Sequence, residues 1–118
     1  MGRPINVQVL LQQFAALNRL WRLDYGIDNV VLIDESTVRL CSRKKHKINI
    51  DISLSALDLY DFKAYLLRRH GLEIAVIYDE KNFYCEQLDT VLKTIMQKAD
   101  ELKPSDFKTL EELLEGAS

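Results

Sequence analysis

Two cysteines, two prolines and four glycines in 118 residues exclude several architectures at once. Cys41 and Cys85 lie far apart with no CxxC or zinc-ribbon spacing, and neither His46 nor His70 forms a short ligand pair with them. The sequence therefore predicts no disulfide scaffold and no metal site. The scarcity of Gly and Pro also leaves no linker, and there is no internal repeat or low-complexity tract, so one domain spanning residues 1–118 is expected. No GxSxG, HExxH, glycine-rich phosphate loop or GxGxxG is present, which predicts no cofactor, no catalytic residue and a non-enzymatic role. Cys41 falls in the middle of a strand-like run and Cys85 beside apolar residues, where thiols are usually inert. Long apolar runs are missing as well. The longest uncharged stretch, Pro4 to Asn18, carries Asn6, Gln8, Gln12 and Gln13, too short and too polar to span a bilayer. Met1-Gly2-Arg3-Pro4 opens no secretory signal, and Asn6 stands where a myristoylation motif wants Ser or Thr, so a cytoplasmic protein without a membrane role is expected.

What is present is a globular composition, 47% apolar and 29% charged, with an uneven distribution of charge. Residues 1–70 carry eleven Lys and Arg against seven Asp and Glu, whereas residues 71–118 carry five against eleven. Every arginine lies at or before Arg69. A formal net charge of -2 thus conceals a basic first half and an acidic second half, a pattern that bears on partners and not on fold.

Hydrophobic periodicity predicts an α+β domain of two layers, an antiparallel sheet of four to five strands packed with helices in the order α-β-β-β-α-β-(β)-α-α. Asn6 caps a first helix running to about Leu23, and an apolar arc from Val7 to Leu23 covers most of its circumference. Strands follow at Asn29–Asp34, Thr37–Ser42 and Ile48–Leu54, the last alternating strictly. If Arg43–Lys47 closes a simple hairpin, Val38 faces Ile52, Leu40 faces Ile50 and Arg39 faces Asp51. Ser55 with Asp58 forms a Ser-x-x-Asp box that predicts a second helix to about His70, stopped by Gly71. Glu73–Asp79 reads as a strand, Asp79–Asn82 as a turn and Phe83–Cys85 as a short return strand. A helix from Leu88 to about Leu102 follows, and Ser105 opens a peripheral C-terminal helix over 105–118. The expected core is Ile48, Ile50, Ile52, Leu59, Phe62, Leu66, Val91, Leu92 and Ile95.

The opening α-β-β-β-α order is that of double-stranded-RNA-binding domains. However, the second helix would begin Ala56-Leu57-Asp58-Leu59-Tyr60-Asp61, acidic where phosphates must sit. The longer order, with the chain length and acidic pI, resembles the small homodimeric chaperones of type III secretion. That resemblance implies a dimeric protein-binding module whose sheet and first helix hold another chain.

Two surfaces are candidates for contact. Phe14, Leu17 and Trp21, on the wide apolar arc, are the expected protein interface, since a helix apolar over so much of its circumference needs cover on a second side. Arg43, Lys44, Lys45 and Lys47 form a basic hairpin tip suited to phosphates or an acidic partner, although no aromatic residue interleaves them to stack on bases. Arg68-Arg69-His70, at the end of the expected second helix, complements its macrodipole. The reading is a self-associating protein-binding accessory, inhibitor or chaperone-like protein, its expected partners being another protein and a second copy of the chain. The alternative is a nucleic-acid-binding protein that uses residues 43–47, and a third is a small enzyme with no recognised motif.

Overall fold

Strict alternation makes Ile48–Leu54 an interior strand of an antiparallel sheet, because a strand with one greasy face also needs neighbours for both of its backbone edges. In a computed structural model describing residues 3–43, 47–68 and 73–109, those neighbours come from the segments just before and just after it. The elements are α1 (Val7–Leu17), α2 (Trp21–Asp24), β1 (Ile27–Asp34), β2 (Thr37–Ser42), β3 (Ile48–Leu54), β4 (Tyr60–Arg68), β5 (Glu73–Phe83), α3 (Leu88–Asp100) and β6 (Lys108–Thr109). Single 3-10 turns occupy Cys85–Gln87 and Pro104–Asp106. The strands form one meander in the order β1-β2-β3-β4-β5-β6, each antiparallel to the next.

The α+β class and the antiparallel sheet agree with the sequence reading. The β2–β3 hairpin has the expected register, with Val38 opposite Ile52, Leu40 opposite Ile50 and Arg39 opposite Asp51. The expected second helix is instead β4. Leu59, Phe62 and Leu66 fit a helical stripe, but Tyr60, Phe62, Ala64 and Leu66 also alternate, and all four of these are buried. Period two prevails because β3 requires a second partner and because the segment is rich in aromatic residues, which suit strands. The Ser-x-x-Asp box closes the β3–β4 turn. The Ser55 amide donates to the Leu59 carbonyl at 2.9 Å, and the Ser55 hydroxyl accepts from the amides of Leu57 and Leu59. Asp58 takes a φ of 60°, a left-handed conformation that aspartate tolerates better than most residues. A Ser-x-x-Asp spacing serves a tight turn as readily as a helix start.

Three further boundaries move. Asn6 does cap α1, its Oδ1 accepting from the Val9 amide at 3.1 Å, but the helix ends at Leu17 and resumes only as the short α2. Residues 79–83 continue β5 instead of turning, with an irregular register opposite Tyr60 and Phe62 and Asn82 at a φ of 68°. After the 3-10 turn at 104–106 the chain pairs Lys108 and Thr109 with β5, and the rest of the expected C-terminal helix lies outside the described residues. So do Arg69, His70 and Gly71. The α-β-β-β-α order behind both family resemblances does not survive the replacement of its second helix by β4.

The three helices among the described residues contribute to one buried cluster on a single face of the sheet. Leu10 and Phe14 of α1, Trp21 of α2, and Leu88, Val91, Leu92, Ile95 and Ala99 of α3 join Val38, Leu40, Ile48, Ile50, Ile52, Phe62 and Leu66. Tyr60, at the start of β4, donates its hydroxyl to Gln13 of α1 at 2.7 Å. Every expected core residue is buried except Leu59, which sits half-buried in the β3–β4 turn. Phe62 is 1% exposed and meets Phe83 edge to face at 5.6 Å. Phe62→Ala should therefore lower the unfolding free energy by about 3–5 kcal/mol in urea denaturation. A loss below about 1 kcal/mol would contradict this packing.

Candidate functional site

The register of the meander carries alternate residues of each strand to the face opposite the described helices. Val31, Arg39, Asp51, Lys63 and Asp79 fall on one row across β1 to β5, so four neighbouring strands present alternating charge. Arg39 grips Asp51 through two hydrogen bonds, Nε to Oδ1 at 2.7 Å and Nη2 to Oδ2 at 3.1 Å, and its guanidinium lies 5.6 Å from the centre of the Tyr65 ring. The hydrogen bond to Asp51 raises the Arg39 pKa, keeping it charged at any accessible pH. Burial raises the Tyr65 hydroxyl above its ordinary range, and the Asp51 charge adds to the effect. Two shallow hollows flank the ladder. One, of about 380 Å³, has Ile33, Asp34, Asp61 and Lys81 among its lining residues, and the other, of about 440 Å³, lies against Tyr65, Ile74 and Val76.

Among the described residues no three His, Cys, Asp or Glu side chains converge as metal ligands. Both thiols are free and held above their usual pKa, Cys41 by burial and then by Asp28, Cys85 by burial and then by Glu86. A thiol held protonated is a poor nucleophile.

The expected interface residues separate. Phe14 is fully buried and Trp21 is 4% exposed, and their rings stack at 4.6 Å inside the chain's own core. Neither is available as a surface anchor, which corrects that part of the expected site. Leu17 remains on the surface at 41% exposure. In the basic tip, Arg43 is exposed but paired with Asp28 at 3.0 Å, and Lys47 is exposed. Lys44, Lys45 and His46 lie outside the described residues.

What the sequence reading missed is the exposed apolar surface beside these residues. Val31, Leu32 and Ile33 are exposed on β1, an edge strand among the described residues, and Leu20 and Leu23 are exposed on or beside α2, which packs against β1. The signal was the unbroken apolar run Val30–Ile33. A strand that does not alternate is either covered on both faces or partly bare, and the first strand of a meander has an edge position.

A polar strap sets α2 against this edge. The Tyr25 hydroxyl donates to Asp89 Oδ1 at 2.7 Å, and Asn18 Nδ2 donates to Asp24 Oδ2 at 2.8 Å and to Asp89 Oδ1 at 3.4 Å. Burial disfavours the Asp89 carboxylate, yet the hydrogen bonds from Tyr25, Asn18 and Lys93 outweigh it and hold its pKa below the ordinary value. Burial and the hydrogen bond to Asp89 push the Tyr25 hydroxyl well above its ordinary range.

No protein-family model, no curated protein and no solved structure matches this chain.

The strap has a pH signature. A carboxylate with a depressed folded pKa contributes stability that is present above its unfolded pKa, near 3.9, and is lost as pH falls through the folded value. The stability advantage of the wild type over Asp89→Asn, read from urea midpoints, should therefore shrink as pH falls from about 5 toward 3. A constant difference across that interval would show that Asp89 is not held ionised by the strap.

Proposed function

We propose that this protein is a non-enzymatic, self-associating protein-binding module of the cytoplasm. The observation that carries the reading is the apolar surface at one edge of the fold, where Leu32 is 56% exposed, Leu20 54% and Leu23 77%. Isolated exposed leucines are ordinary, but three consecutive apolar residues on an edge strand beside an exposed leucine-bearing helix suit a protein partner. Leu17 stays in the proposed interface, while Phe14 and Trp21 belong to the core. Paired charges on the open face and protonated thiols favour binding over chemistry. The two free cysteines suit a reducing compartment. No helix among the described residues is long and apolar enough to cross a membrane.

A nucleic-acid role for Arg43, Lys44, Lys45 and Lys47 is the competing reading. The Asp28–Arg43 pair works against it by supplying a carboxylate beside the first of those cations. Affinity capture from a native lysate, with and without nuclease, separates the two. Protein partners should remain after nuclease and survive replacement of all four basic residues by Ala. If capture disappears with nuclease, and the slope of log affinity against log salt is negative but no steeper than about -3.6 as four phosphate contacts allow, the protein-binding reading fails.

A further inference from the structure

We infer that β1 is a homodimerisation strand, pairing antiparallel with β1 of a second copy about a two-fold axis at Val31 and so joining two meanders into one continuous sheet. The inference rests on the self-associating reading and specifies its surface.

The backbone indicates the direction. Among the described residues β1 is hydrogen-bonded to β2 on one side and is the terminal strand of the sheet on the other. The Leu54 amide donates to the Ser36 carbonyl, so the backbone groups of Val38 and Leu40 in β2 face β3 while those of Arg39 and Cys41 face Val31 and Asn29; this turns the Val30 N–H to the free edge, where it donates to the neighbouring Asn29 side chain at 3.0 Å. Strand alternation then points the Leu32 N–H the same way. An isologous antiparallel pair uses such outward groups reciprocally, and Val30 opposite Leu32 of the second copy exchanges both hydrogen bonds.

The side chains select that register. In a two-fold antiparallel pair, directly opposed residues share a face, so the axis must pass through a residue. An axis at Val30 would set Leu32 against the second copy's Asp28, and an axis at Leu32 would set Val30 against its Asp34. The axis at Val31 opposes Val31 to Val31 and Val30 to Leu32, and it alone pairs both outward residues of the regular segment Asn29–Leu32 with each other, since the β1–β2 register shifts on either side of that segment and Asp34 is paired with Thr37. At each end, beyond the register shifts at Ile27/Asn29 and Leu32/Asp34, it brings Asp28 toward Asp34 of the second copy. That juxtaposition of like charges is relieved by Arg43, whose guanidinium is 3.0 Å from Asp28 and whose side chain is 70% exposed. Arg43 would thus lie between two carboxylates, a use of the basic tip that needs no nucleic acid. The opposite side of the sheet lacks these properties, since β5 beyond its short pairing with β6 carries Asp79, Glu80 and Lys81 along its length.

Two variants test the inference. Light scattering at high micromolar protein and physiological salt should give twice 13.7 kDa for the wild type. Val31→Lys, at a position 38% exposed, sets two ammonium groups against each other on the axis and should weaken dimerisation about tenfold or more, while circular dichroism stays that of the wild type. Val31→Cys should form a covalent dimer under mild oxidation, because a non-hydrogen-bonded antiparallel pair brings Cβ atoms within about 5.5 Å. Val9→Cys, equally exposed on α1, is the control and should cross-link far more slowly. A dimer that is insensitive to Val31→Lys, or a Val31→Cys protein that cross-links no faster than Val9→Cys, overturns the β1 pairing and leaves self-association elsewhere standing. A wild-type mass of 13.7 kDa overturns both the pairing and self-association, while nuclease-resistant capture still decides whether the protein binds other proteins.

Discussion

The architecture depends on the two unsatisfied backbone edges of β3. Its isoleucine face is driven from water by the hydrophobic effect, but burying a strand also buries its amides and carbonyls, and each of those must find a partner. Short connections place the partners on either side in sequence order, β2 through the basic tip and β4 through the Ser55–Leu59 turn. Extending the same logic outward gives the meander. It ends at β1 because α2 and the strap precede that strand and supply no further ladder.

Covering one face of such a sheet with helices leaves the other to be made compatible with water, and the charge ladder does this economically. Arg39, Asp51, Lys63 and Asp79 each lie opposite a charge of the other sign, so a slip of register would oppose like charges or leave charges beside apolar residues. Partly exposed pairs of this kind contribute little to stability, about 0.2–1 kcal/mol each, and their larger effect is on which pairing is chosen. The concentration of arginine in the first half of the sequence belongs partly to this internal accounting. Arg3 with Asp58, Arg39 with Asp51 and Arg43 with Asp28 are pairs within that half, and Arg68 crosses to Glu73.

How much of this was legible in the sequence varied with how many physical signals agreed. At Arg39 and Asp51 alternation, hairpin length and charge all selected one register, and that register is present. At Tyr60–Arg68 the apolar positions satisfied two periods, and the Ser55–Asp58 spacing has two structural uses; the deciding factor, the need of β3 for a partner, is not local. At Trp21 the apolar arc was read as one long helix needing cover on a second side, from another element or another subunit. Asn18 instead breaks the helix, in an extended conformation, so that Trp21 folds back on Phe14 and supplies the cover itself. The exposed run on β1 was visible as residues, but its meaning required knowing that β1 is an edge.

The break at Asn18 links the interior of the protein to its candidate surface. Had α1 continued, the apolar residues beyond Leu17 would have remained on one rod. By ending the helix, Asn18 frees its amide group to reach Asp24 and Asp89, and the Tyr25 hydroxyl ties the end of α2 to the first turn of α3. The short segment between those anchors turns Trp21 inward and leaves Leu20 and Leu23 outside, on a helix packed against β1. One polar strap thereby supplies both a core residue and exposed apolar residues beside the bare edge strand. A partner that adds a strand there would meet apolar side chains as well as backbone hydrogen-bonding groups, the combination in which backbone pairing gives affinity and side chains give specificity.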